Sequence, residues 1–89
     1  MPEITLTVHH EVGLHARPAS QFVQTAKQFA SDITVAHGER EANAKSILGV
    51  LTLGANRGAV ITVRADGEDA DQALAALEAL VADNFGERA

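Results

Sequence analysis

The chain has 89 residues, with seven Lys plus Arg against twelve Asp plus Glu and a formal charge of −5, the wrong sign for a protein whose work is on nucleic acid. Cysteine is absent, which excludes disulfides, thiolate–zinc and iron–sulfur sites and thiol catalysis, and suits a reducing compartment. Seventeen residues are Ala and only three are aromatic, all Phe, so one small domain spanning residues 1–89 is expected to build its core from Leu, Val, Ile and Phe.

Ile4, Leu6 and Val8 alternate with Glu3, Thr5 and Thr7, which predicts a half-buried opening strand. A loop from His9 to Leu14 follows. From Ala16 to Ala30 the apolar residues Ala19, Phe22, Val23, Ala26 and Phe29 recur at three-and-four spacing, the stripe of a first amphipathic helix. Ile33 and Val35 give a second strand that turns at Gly38-Glu39 into a weak third over Arg40 to Ala44. Ser46 to Leu53 predicts a short helix with Ser46 as N-cap and Gly54 as its stop. Its apolar residues surround it, so two readings stay open: a docking patch with Ile47, Leu48 and Leu51 partly exposed, or a wholly buried segment. Val60 to Ala65 alternates as a fourth strand. Gly67 to Asp71 then opens a last helix with acidic residues at its positive end, and Leu74, Leu77, Leu80 and Val81 form its core stripe. The order βαββαβα predicts an α+β protein of two layers, a four-stranded, largely antiparallel sheet with helices covering one face.

Met1 to Val8 lacks the basic start of a secretion signal, and no apolar run reaches the roughly 18 residues that span a bilayer. The expectation is a cytoplasmic protein with no membrane insertion. No linker, low-complexity tract or internal repeat divides it. Phosphate-binding loops of the Walker type, the Gly-x-Ser-x-Gly elbow and the dinucleotide fingerprint are all missing from the sequence.

What remains is Gly13-Leu14-His15-Ala16-Arg17-Pro18-Ala19, where a His and an Arg two residues apart stand where a loop becomes a helix. The first backbone N–H groups of a helix lack intrahelical partners and its dipole adds partial positive charge, so this is a place for an anion. His15 at the cap position would offer a neutral imidazole as nucleophile. The amides of Ala16 and Arg17 and the Arg17 guanidinium could hold the phosphate that results. Gly13 would permit close approach and Pro18 would start the helix. By residue type alone the plainer reading is the favoured one: His15 merely caps the helix, Arg17 is solvated and Pro18 is an ordinary first-turn proline.

The whole string resembles the signature of the HPr family, the histidine phosphocarriers of the bacterial sugar phosphotransferase system. A second stretch, Ala44-Lys45-Ser46-Ile47-Leu48-Gly49 followed by Leu53-Gly54, resembles the segment around that family's regulatory serine. The element order also matches that family's fold, so the resemblance implies an open-faced two-layer β-sandwich, a four-stranded antiparallel sheet with three helices on one face, and a stoichiometric carrier rather than an enzyme, without cofactor. It implies that His15 takes a phosphoryl group on Nδ1 from phospho-enzyme I, charged by phosphoenolpyruvate, and passes it to a sugar-specific enzyme IIA, with Arg17 stabilising the phosphate. It places partner docking at Ser20, Gln21, Gln24, Ile47, Leu48 and Leu51, with Phe22 assigned to the core, and a monomer suits such a shuttle. Ser46 carries two readings: an ordinary N-cap, or a site for an HPr kinase/phosphorylase that would make the protein a signal to a catabolite-control transcription factor. Val12 departs from the pattern, since many members carry a small polar residue there that helps to organise the loop.

Two other classes compete. A metal module could use His9, His10, His15 and Glu11, but neighbouring histidines on an extended segment point to opposite faces. A regulatory or nitrogen-branch HPr paralogue acting mainly by protein binding is the alternative function; regulatory paralogues typically lack the histidine, and the Lys45-Ser46-Ile47-Leu48-Gly49 match favours the sugar branch.

Overall fold

The fold is seen in a computed structural model that describes residues 2–11 and 13–86. Its elements are β1 (Glu3–Thr7), α1 (Ala16–Ala26), β2 (Asp32–His37), β3 (Arg40–Asn43), α2 (Ile47–Thr52), β4 (Val60–Asp66) and α3 (Ala70–Ala82), followed by a short 3₁₀ turn at Asn84–Gly86. The predicted order βαββαβα holds. The strands form one antiparallel sheet in the order β1-β4-β2-β3, so the chain's first strand lies at one edge and the β2–β3 hairpin at the other.

Strand alternation decides which face is dry. Leu6, Ile33, Val35, Ile61, Val63 and Ala65 are buried toward the helices, while Glu3, Thr5, Thr7 and Arg64 face outward. On that open face Glu3 and Arg64 are register partners and form an ion pair of 3.0 Å between half-exposed side chains. A pair so exposed adds little stability; it keeps the uncovered face wet. On the covered face Ala19, Phe22, Val23 and Ala26 of α1 and Ala73, Leu74, Leu77 and Val81 of α3 close one contiguous core. Phe22 is fully buried, as the spacing demanded. The β2–β3 turn places Gly38 at φ +61, a conformation that favours glycine in a two-residue hairpin.

Some details differ from expectation. α1 ends at Ala26 rather than Ala30, because Gln28 donates to the Thr25 carbonyl and Phe29 to that of Ala26, a tightening to three-residue spacing that winds the chain out of the helix. Phe29 therefore lies beyond α1, though still packed against the core. Leu80, the third residue of the predicted α3 stripe, is only half-buried; Ala70 and Ala73 take that role nearer the start. β3 stops at Asn43, but the Ala44 amide still donates to the Ile33 carbonyl at 2.9 Å.

The early end of α1 is tied to α3. Asp69, the N-cap residue of α3, does not cap its own helix. Its carboxylate accepts from the amides of Ala30 at 2.8 Å and Ser31 at 2.9 Å and from the Ser31 hydroxyl. Gly67 passes so close to Ser31 that a Cβ there would fall 2.8 Å from the Ser31 Cα. Chiefly the Ser31 hydroxyl, and then the Ala30 amide, hold the Asp69 carboxyl below its ordinary value of 3.8. A carboxylate whose folded pKa is depressed stabilises the fold above the unfolded value and loses that contribution as pH falls through the folded one. Asp69→Asn is accordingly expected to lower the stability measured by urea unfolding at pH 7, with the gap to the native chain closing as pH falls below about 4. A gap that does not change with pH would show that the charge of Asp69 is not what ties the α1–β2 turn to α3.

Candidate functional site

The loop between β1 and α1 reaches its position through its neighbour, the loop between α2 and β4. The Leu14 amide donates to the Ala55 carbonyl at 2.7 Å. Val8 and the segment Gly58-Ala59 exchange two further backbone bonds, Val8 N–H to the Ala59 carbonyl at 2.8 Å and Gly58 N–H to the Val8 carbonyl at 2.7 Å. Leu14 itself is fully buried, an apolar anchor beneath the loop. Gly13 is the point of closest approach: it sits at φ +70, and a Cβ on it would lie 2.3 Å from the Ala55 oxygen and 2.6 Å from the Asn56 Cα. Only a residue without a side chain fits there.

His15 follows as the N-cap residue of α1, extended at φ −127, ψ 157, with no side-chain cap hydrogen bond. Its ring therefore does not do the ordinary work of a cap. It turns to the other loop, where Nε2 lies 2.9 Å from Oδ1 of Asn56. The ring is half-buried, and Ala16 and Arg17 beside it are exposed. Ala16 is bent to φ +48, a left-handed conformation that costs a residue with a Cβ about 1–2 kcal/mol. The amides of Ala16 and Arg17 open the helix and have no carbonyl one turn behind them. The Arg17 side chain makes no hydrogen bond or ion pair with another described residue. Pro18 is the third helical residue rather than the first; its missing N–H still falls within the turn that has no partners, so it costs no helix bond.

The second motif forms as expected at its cap. The Ser46 Oγ accepts from the Gly49 amide at 3.1 Å, a capping bond of about 1 kcal/mol. Gly49 lets α2 pass over β3, since a Cβ there would stand 3.0 Å from the Ala42 Cβ. Of the two readings of this helix, partial exposure is the one realised: Leu48 is 73% and Ile47 41% exposed, while Val50 is fully buried. Leu51 is half-buried. On α1, Gln24 is exposed, Ser20 and Gln21 are half-buried, and Gln24 donates to the Ser20 hydroxyl at 3.3 Å. α1 and α2 are in contact, so these two sets of side chains belong to adjoining surfaces.

His9 and His10 do not join the site. His9 is exposed, whereas His10 is buried edge-on against Phe85, with ring centroids 5.8 Å apart. No group of three or more His, Asp or Glu side chains among the described residues is placed to hold a metal ion. Val12 lies outside the described residues. The residue that sequence reasoning missed is Asn56: forty-one positions from His15, in a stretch read only as a connection, it became visible once the sheet placed the two loops side by side. Its one sequence cue is position, in a Gly-bounded loop before a strand that pairs with β1.

An open-faced sandwich with a strained His-Ala-Arg step at a helix start, beside a helix that exposes Ile47 and Leu48, defines a small α+β domain whose candidate site lies at its surface. Residues 2–83 match the family described as the PTS HPr component phosphorylation site. The chain is 48% identical over 87 residues to a phosphocarrier protein HPr of Xylella fastidiosa, covering 98% of both chains. Among solved structures it is similar to an HPr from Thermoanaerobacter tengcongensis, with a TM-score of 0.97 at 44% identity and full coverage of both chains. It is also similar to the Bacillus subtilis catabolite repression protein Crh in its domain-swapped dimer, with a TM-score of 0.74 at 39% identity over 94% of this chain and 97% of that one. The chain belongs to the HPr family of the phosphotransferase system.

The approach of the two loops can be tested directly. Gly13→Ala is expected to destabilise the fold by about 2 kcal/mol or more, because the clash is with backbone and the φ is left-handed. Chemical denaturation measures this; a variant as stable as the native chain would show that the loops do not depend on that contact.

Proposed function

We propose that the chain shuttles phosphoryl groups through His15, accepting from phospho-enzyme I, which is charged by phosphoenolpyruvate, and donating to sugar-specific enzyme IIA domains. The single observation that carries this reading is the disposition of His15: at a helix start, half-buried, with its ring committed to neither a cap nor a metal. In acceptance, the lone pair of an imidazole nitrogen forms a bond to phosphorus while the donor's bond to phosphorus breaks, its electron pair staying with the donor. In donation the same step runs the other way. No water, metal or redox partner enters the balance.

The surroundings suit reversibility. The amides of Ala16 and Arg17 and the Arg17 guanidinium offer charge-assisted bonds to a phosphoryl oxygen, each worth about 1.5–3 kcal/mol. A shallow helix end holds the group without burying it, so an incoming acceptor can reach the phosphorus in line. Gly13 and Pro18 shape that approach. Ile47, Leu48 and Leu51, with Ser20, Gln21 and Gln24, form the docking surface for both partners, and exposed apolar side chains at its centre fit that use. The carrier is consumed and regenerated stoichiometrically and needs no cofactor. Ser46 is the second modification site in this reading. Phosphate there would be favoured by the helix start but would set about two negative charges beside Ile47 and Leu48, weakening docking of enzyme I. An HPr kinase/phosphorylase and a catabolite-control transcription factor are the partners that this would require.

Incubation with enzyme I, magnesium and phosphoenolpyruvate is expected to add one acid-labile phosphoryl group to the native chain and none to His15→Ala, with both chains equally folded by circular dichroism. Arg17→Ala is expected to slow acceptance about tenfold or more with little loss of stability, the cost of one charge-assisted contact. Intact-mass analysis over time reads both. Phosphorylation of His15→Ala, or no uptake by the native chain from a competent enzyme I, would overturn the reading.

A further inference from the structure

We propose that Asn56 is a positioning residue for phosphoryl transfer, its carboxamide oxygen holding the proton on Nε2 of His15 so that the lone pair of Nδ1 faces the phosphorus. The inference rests on the reading of His15 as the phosphoryl acceptor. Its starting point is a contact of 2.9 Å between His15 Nε2 and Asn56 Oδ1. A carboxamide oxygen only accepts, so the proton of that bond belongs to Nε2, and in a neutral imidazole the other nitrogen is then the one with a free lone pair.

The position of Asn56 is built rather than incidental. The residue before it accepts from Leu14 at 2.7 Å, its own carbonyl accepts from Ala59 at 2.9 Å, and Gly58 and Ala59 are bonded to Val8. Gly13 packs against the Asn56 backbone with no room for a Cβ. The acceptor for the ring is thus fixed to the same backbone that fixes the loop bearing His15, and the ring loses rotational freedom before any donor arrives.

The arrangement also removes proton movement from the reaction. When Nδ1 bonds to phosphorus, the ring becomes a cation that keeps its proton on Nε2, still facing the Asn56 oxygen dipole. When the N–P bond breaks toward the next acceptor, its phosphorus leaves, the pair returns to Nδ1, and the ring is neutral with the proton where it began. Neither direction requires a general base.

The test follows the ring nitrogens and the transfer rate in the full chain. With 15N-labelled histidine at about pH 8.5, where imidazole is neutral, native His15 is expected to show a protonated, pyrrole-like Nε2 and an unprotonated, pyridine-like Nδ1. In Asn56→Leu, similar in size but without an acceptor, the two resonances are expected to move toward each other, and phosphorylation by enzyme I and phosphoenolpyruvate to slow about fivefold, the loss of one neutral hydrogen bond. Asn56→Asp, which keeps an acceptor, is expected to retain the native tautomer. Native resonances and native rate in a folded Asn56→Leu, or loss of the tautomer in Asn56→Asp, would overturn the positioning role while leaving His15 as acceptor. If the native chain takes up no phosphoryl group, the carrier reading fails and this role falls with it, whatever the tautomer.

Discussion

The site exists because two loops about forty residues apart in the sequence touch. The bond from the Leu14 amide to the Ala55 carbonyl, at 2.7 Å, and the missing Cβ of Gly13 bring the β1–α1 loop against the α2–β4 loop. Their proximity is a consequence of topology: β1 pairs with β4, so the end of the first strand and the start of the fourth are neighbours. Val8 and Ala59 carry the pairing past the formal strand ends. From that contact follow the anchoring of Leu14 in the core, the orientation of the His15 ring toward Asn56, and the strained turn at Ala16 that starts α1.

Stability and function are supplied by different faces of the same elements. α1 buries Pro18, Ala19, Phe22, Val23 and Ala26 and leaves its first two residues, Ala16 and Arg17, in solvent. α2 spends Val50 on the core and Ser46 on its own cap, and leaves Leu48 outside. The far end of the sandwich is closed by an unrelated device, the Asp69 carboxylate receiving the amides of Ala30 and Ser31. That clamp keeps the α1–β2 turn and α3 together at a distance in sequence from His15, so the helix start at Ala16 can carry strain while the core stays fixed.

The fold was largely legible from periodicity. The alternation of Ile4, Leu6 and Val8, the helical stripe of Ala19, Phe22, Val23 and Ala26, and the cap at Ser46 each reported a local rule that tertiary structure did not override. The errors fell where long-range bonds decide: α1 stops at Ala26 because the following amides are claimed by Thr25 and Ala26 and then by Asp69, a partner 38 residues from Ser31. The site was legible in part. His15 and Arg17 declared themselves through the chemistry of a helix start and through the family resemblance of their string. Asn56 did not, because its contact with His15 depends on the pairing of β1 with β4, and an Asn in a short loop is otherwise only a turn residue. The positive φ of Ala16 left no mark in the sequence either, since alanine has no preference for that conformation.

The central claim is that phosphate is carried on one defined nitrogen of one defined residue, the Nδ1 of His15, with the other nitrogen engaged by Asn56. The most direct measurement is the 15N spectrum of the phosphorylated chain labelled at its four histidines, read for coupling to phosphorus. The account predicts a single coupled nitrogen, Nδ1 of His15, with Nε2 of the same ring protonated. Coupling at Nε2 of His15, or at a ring nitrogen of His9, His10 or His37, would contradict it.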